Sequence, residues 1–317
     1  MSAVHPRRIQ RPPSAMERRL RVVRRAFGVE LKRLHDPRRV VAIVVLAIVF
    51  GVIGAGLLAR GEEAGADARA YWGAVRIWLN GGDPYHPSGP FLPYVYAPWM
   101  LPLFTPWALL PWEVAWFVWR GGILVAWLAT IHWAYQRRPL AAAIAVLVLA
   151  FPVAANLDTG NVTLILALGL WVAQFTGPRV AGAIWAIATW MKWVPAPFWL
   201  LLAPRARTWG LLWLALAGLM SVLTLPLTII QLQALFGFGP RPPRLDYLVL
   251  LWATVPWLWR HPTALGRLNP RRWPAALTAL RSGASRWGHG WATDPGAARQ
   301  LMRVQLRAFL GLENRAG

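Results

Sequence analysis

The stretch EEAGADARAYWGAVRIWLNGGDPYH, residues 62–86, decides how the rest of this chain is read. Tyr71, Ala74, Val75 and Trp78 fall at i, i+3, i+4 and i+7, one face of a short amphipathic helix. Asp67 lies one turn before Tyr71 and shares that apolar face. A carboxylate turned toward the buried side of a membrane-proximal helix is costly unless it is paired or put to use. Gly81-Gly82 stops the helix and Asp83-Pro84 makes a turn, which gives Asp83 a structural part rather than a chemical one. A linker then leads to YVYAP, residues 94–98. The loop gathers acid, with four of the seven carboxylates found between residues 40 and 259.

Around this loop the composition is that of a polytopic membrane protein. The chain has 317 residues, 57% hydrophobic and only 15% charged, which argues against a soluble domain. It has no cysteine, hence no disulfide framework and no thiolate metal site. The net charge of +22 is concentrated at the ends. Residues 1–39 carry twelve Lys/Arg against three acids and residues 260–317 ten against two, while the part between carries twelve against seven. Basic ends that flank apolar spans follow the positive-inside rule, which explains the charge better than nucleic acid does. The expected organisation is a basic cytoplasmic arm (1–39), a transmembrane domain (40–259) and a basic cytoplasmic tail (260–317). Leu20, Val23, Phe27, Leu31 and Leu34 give the arm an amphipathic helix, and Met302, Leu306, Phe309 and Leu310 give the tail another.

Val40 to Ala59 is long enough to cross a ~30 Å hydrocarbon core. Cations before it and acids after it place the N-terminus in the cytoplasm and the Asp67 loop outside. Residues 94–111 are broken by Pro98, Pro102, Pro106 and Pro111, so they form a re-entrant or interfacial piece or a kinked span. Two threadings follow. In the favoured one, 94–111 does not cross and 112–134 runs inward to Arg137-Arg138. Residues 139–155 then run out to Asn156–Asn161, and 161–176 run in to Arg179. Short pieces at 180–191 and 194–203 go out to Lys192 and back to Arg205 and Arg207. Residues 208–232 go out and 245–259 return, and of the later arginine clusters only Arg241 and Arg244 break the charge rule. In the other threading, 94–111 crosses and Asn161 faces inside. Trp72, Trp78, Trp99, Trp107 and Trp112 cluster round the outer loop as an interfacial aromatic belt.

The order D-x-x-x-Y, G-x-D-P-Y, Y-x-Y-x-P, then GNVTLIL (160–166) and AGAIWAIATWMKWVP (181–195), resembles glycosyltransferase family 87 over roughly residues 60–235. The resemblance implies an all-α GT-C-like helical bundle with amphipathic helices in its first extracytoplasmic loop. It implies transfer of a sugar, a mannose-like hexose, from a polyprenyl-phosphate donor to a hydroxyl of a lipid or glycan acceptor in the cell envelope. It assigns the catalytic base to the acid at Asp67 and places Asn161 on the site.

Read for chemistry, Asp67 is the best general base: external, at the membrane face and beside a helix start. The competing reading is an N-terminal acid favoured by the helix dipole. A lipid phosphate leaves as an anion and needs a cation. Lys192, the one lysine of the membrane portion, comes first, against a lysine that snorkels to the interface. Arg69, Arg76 and Arg120 follow, although Arg120 has Glu113 for a possible partner on its own helix face. Tyr94 and Tyr96 are candidates for sugar hydroxyls, or ordinary interfacial tyrosines. Asn156, Asp158 and Asn161 form a polar patch, with Asp158-Thr159-Gly160 turn-like. Metal-binding pairs are missing from the sequence, and neither a cofactor nor a metal is expected. Two other classes stay open, a lipid or solute flippase and a non-catalytic assembly partner. An Asp67 facing bulk water with no cavity behind it would favour the second.

Overall fold

The computed structural model describes residues 35–61, 64–87, 89, 91–237 and 244–261, together with residue 16. The amphipathic helices expected in the basic arm and tail lie outside the described residues. The described residues are helical, with no strand among them. Helix α1 (Pro37–Arg60) starts on Asp36, whose carboxylate accepts the Arg38 amide, with Pro37 at the first helical position. Its 24 residues are long enough to cross a bilayer. Valines and isoleucines face outward along it, Val44, Ile48 and Val52 among them, while Ala42, Val49 and Ile53 pack inward. An outer coat of large apolar side chains suits lipid rather than water.

The loop helix α2 (Ala66–Leu79) follows. Tyr71, Ala74 and Val75 are buried as the spacing predicts, but Trp78, at the end of the stripe, is 36% exposed. Asn80 and Gly81 close the helix, Gly81 with φ of 77° and Gly82 donating its amide to the Ile77 carbonyl. Asp83 accepts from the Tyr85 amide at 2.8 Å and pairs with His86, an Asx turn. The proline-rich piece becomes a 3-10 turn (Pro98–Met100) and the eight-residue helix α3 (Leu101–Ala108). At ~1.5 Å per residue α3 is far too short to cross.

Helix α4 (Trp112–Arg137) is the second long apolar helix. Helices α5 (Pro139–Val148) and α6 (Ala150–Thr159) form one bent segment with a 58° break. Helices α7 (Val162–Ala173) and α8 (Pro178–Met191) follow, then a 3-10 segment (Ala196–Leu201). The segment expected to cross at 208–232 is two helices, α9 (Pro204–Leu223) and α10 (Leu225–Gly237). Pro226 cannot donate into the preceding turn, and Thr228 Oγ1 bonds the Ser221 carbonyl across the break. A 3-10 stretch (Leu245–Thr254) and α11 (Val255–Arg260) complete the described chain.

Contacts define two ends of the bundle. At one, Arg39 lies over Tyr135, Arg138 over Trp259, and Arg260 bonds Gln174. At the other, Arg60 pairs with Asp158 at 3.2 Å and the Gly65 amide donates to the Asp158 carbonyl. Helices α8 and α9 lie side by side and run the same way. A Cβ built on Gly182 would fall 2.5 Å from the Gly210 nitrogen, and one on Gly218 would touch Trp190. Residues 192–203 therefore run back along the length of α8.

Candidate active site

The site forms where the ends of α2, α6 and α8 meet. Gly65, at φ of 90°, opens α2 and is tied to the last turn of α6 by its 2.7 Å hydrogen bond to Asp158. Helix α6 runs through Asp158 and Thr159, which are helical rather than a turn, and Gly160 reverses the chain at φ of 70°. A side chain at Gly160 would meet Ala68 Cβ at 2.6 Å and the Trp116 ring at 2.8 Å. Only a glycine permits both that backbone conformation and that approach. Trp119 Nε1 fixes the turn by donating to the Gly160 carbonyl at 3.0 Å.

This close approach sets Asn161 against Asp67. Asn161 Nδ2 donates to Asp67 Oδ2 at 2.7 Å. Its Oδ1 caps α7, accepting the Thr163 amide at 3.0 Å and the Thr163 hydroxyl at 2.6 Å. Lys192, at the C-cap of α8, donates to the same Oδ1 at 2.8 Å and to Thr163 Oγ1 at 2.7 Å. The partners fix the amide: donors crowd its oxygen and a carboxylate receives its nitrogen. A continuous chain thus joins the Lys192 ammonium to the Asp67 carboxylate through one side-chain amide.

Asp67, Asn161 and Lys192 line a cavity of about 400 Å³, so the carboxylate has a recess before it rather than bulk water alone. Tyr96 lines it too, with its hydroxyl 3.1 Å from that of Tyr71. Burial above all, with the Asp67 charge adding to it, raises the phenols of Tyr71 and Tyr96, so both are neutral hydrogen-bonding groups. Tyr94 is buried between the rings of Tyr85 and Tyr96 and lies behind the cavity wall.

The three arginines grouped with Lys192 in the sequence do not line this cavity. Arg69 lies over Trp112 at 4.8 Å on the far side of α2. Arg76 donates to the carbonyls of Ala108, Leu109 and Leu110, which closes the end of α3. Arg120 lies over Trp116 at 5.3 Å and interacts with Asp158 rather than joining the cavity. The polar patch also divides. Asn156 Nδ2 donates to the Asp246 carbonyl at 3.0 Å, Asp158 pairs with Arg60, and only Asn161 reaches the cavity.

Sequence reasoning missed Arg244, Tyr247 and Gln231, which also line the cavity. Arg244 was visible as an exception to the charge rule; Tyr247 and Gln231 carry no comparable signal. Among the described residues no three His, Asp or Glu side chains are grouped to hold a metal.

Comparison with known proteins gives one finding. No curated protein and no solved structure matches the chain. Residues 94–246 match the model of glycosyltransferase family 87. The matched region supplies Asn161, Lys192 and Arg244 to the cavity, while Asp67 reaches it from the preceding loop. Over that region, set in an all-helical bundle with three helices fit to cross a bilayer among the described residues, this chain is similar to the membrane glycosyltransferases of family 87.

Proposed function

We propose that the enzyme moves a hexose, mannose-like, from a polyprenyl-phosphate sugar to a hydroxyl of a lipid or glycan acceptor, with inversion. The hydrogen-bonded run from Lys192 through Asn161 to Asp67, at the wall of one cavity, carries this reading. Asp67 takes the proton of the acceptor hydroxyl as its oxygen bonds the anomeric carbon. The bond from that carbon to the phosphate oxygen breaks, and its electron pair leaves on the phosphate. Lys192, a compact cation, meets that charge. Asn161 holds the base at a fixed distance from the cation, and Tyr96 is placed to bond a sugar hydroxyl.

In this reading the Asp67 end faces outward and the basic arm and tail are cytoplasmic. The separation of the two ends supports it, because Arg39, Arg138 and Arg260 gather at the end away from Asp67. A cysteine at the exposed Asn80 should react with an impermeant thiol reagent in intact cells, and one at Arg138 should not; the reverse pattern overturns the orientation.

The direct test is transfer in membranes from a radiolabelled polyprenyl-phosphate hexose. Asp67→Asn keeps the shape but not the base, so transfer should fall about 10²–10⁴-fold. Transfer by Asp67→Asn at the wild-type rate would remove the base, and no transfer by wild-type protein would remove the donor.

A further inference from the structure

The cavity holds a second cation beside Lys192. Arg244 and Lys192 are set against the same ring: Lys192 Nζ lies 4.7 Å and Arg244 Cζ 5.6 Å from the centroid of Tyr247. All three side chains line the cavity. Two positive groups held this close in a recess repel each other, and the arrangement is favourable only with anionic charge near both. Asp246 supplies part of it, and Asp67, whose charge reaches Arg244 and which the Asn161 amide ties to Lys192, supplies more. The Asp246 carboxylate is mostly buried and pairs side-on with Arg244, Oδ1 to Nε at 3.1 Å and Oδ2 to Nη2 at 3.0 Å. Asp246 is in turn fixed through its own carbonyl, which accepts from the buried Asn156.

Side-on pairing uses one edge of the guanidinium and leaves its end-on Nη1/Nη2 fork as the edge for another oxyanion. Lys192 donates to Asn161 Oδ1 and Thr163 Oγ1, which hold its ammonium at the cavity. Gln231 borders the same space, and its amide is held by the Val95 carbonyl at 3.2 Å.

We propose that Arg244 forks the phosphate of the donor, with Tyr247 as the spacer that keeps its guanidinium and the Lys192 ammonium on one ligand and Asp246 as its positioning residue. This rests on the polyprenyl-phosphate donor proposed above and adds the group that would grip it. The leaving phosphate then meets a planar fork from one side and a point charge from the other. Asp67 lines the same cavity, where it can take the proton of the acceptor hydroxyl.

The test measures binding of a polyprenyl phosphate and of the matching polyprenyl alcohol to the full-length protein in detergent. Wild type should prefer the phosphate, and Arg244→Gln should reduce that preference about tenfold or more with alcohol binding unchanged. Asp246→Asn should reduce it in part, because the fork loses its anchor. Arg244→Lys should not restore it, since one ammonium cannot hold Asp246 and fork a phosphate together. If wild type shows no preference, the donor reading falls and the Arg244 role with it. If wild type prefers the phosphate and Arg244→Gln keeps the full preference, the Arg244 role alone fails. Should Arg244→Gln not fold, Arg244→Lys decides, and a wild-type preference there overturns the fork.

Discussion

On one face of α2, Asp67 and Tyr71 border a cavity; on the other, Arg69, Trp72 and Arg76 border the corner between α3 and α4. Both faces are made of aromatic and charged side chains. They differ in what their charges meet. Asp67 meets an amide whose far end is bonded to a cation, and all three groups line the cavity. Arg76 meets three carbonyls at a helix end and a tryptophan ring at 5.1 Å, and its contacts fasten the fold. A charge that completes a helix end has a structural use already; one that faces a cavity through a fixed partner has its use still to come, on the ligand.

The cavity face breaks most sharply at Asn161. Asn161→Asp keeps the cap on α7 and the contact with Lys192 but cannot donate to Asp67. It also sets two carboxylates together. Transfer should fall about 10–100-fold, the worth of a hydrogen bond to a charged group, with thermal stability near wild type. Wild-type turnover in Asn161→Asp would show that Asp67 is not held through this amide.

Lys192 is next. Lys192→Met should raise the donor KM about tenfold and leave the fold intact, because the loss is one charge-assisted contact to the phosphate. Lys192→Arg should recover part of the loss, its planar fork being larger than the recess between Asn161 and Thr163 requires. Unchanged donor kinetics in Lys192→Met would return this lysine to a purely structural part.

The opposite face should respond in stability instead. Arg76→Gln removes donors to three carbonyls, and the arginine is only partly buried. The expected cost is about 1–2 kcal/mol, read as a lower thermal midpoint, with transfer per folded molecule within about threefold of wild type. A large loss of turnover at unchanged stability would put Arg76 on the substrate and erase the distinction between the two faces.

Much of this difference was legible in the sequence. Asp67 stood out as an acid on an apolar stripe, and Lys192 as the one lysine in a membrane portion otherwise served by arginine. The separation of Arg69 and Arg76 from Lys192 could be read on the helical wheel. At 100° per residue both lie about 180–200° from Asp67, on the other side of α2. Pro226 likewise marked the start of α10, which continuous hydropathy hid. The 3-10 path of Leu245–Thr254 had no local signature. Its course is set by packing on α7 and by distant bonds such as Trp252 to Thr130 and Asn156 to the Asp246 carbonyl. That is why Tyr247 could not be placed from sequence. The junction of Asn161 with Asp67 depends on Gly160 meeting Ala68, a contact between segments far apart in the chain.

Arg69 gives the smallest effect and the finest test of the comparison. It sits two residues from Asp67 and carries the charge a phosphate would need, so proximity in sequence argues for it. The fold argues against it, because its guanidinium lies 4.8 Å over the Trp112 ring, on the side of α2 away from the cavity. Trp112 is also stacked on Trp116 and edge-on to Trp72, so the arginine adds one contact to an aromatic cluster already joined. A cation–π contact at a partly exposed site is worth about 0.5–1 kcal/mol. Arg69→Gln should therefore lower stability by no more than that and leave both turnover and donor KM within about twofold of wild type. A tenfold rise in donor KM in Arg69→Gln, with Lys192→Met unaffected, would move the phosphate to the back of α2 and reverse the assignment of the two faces.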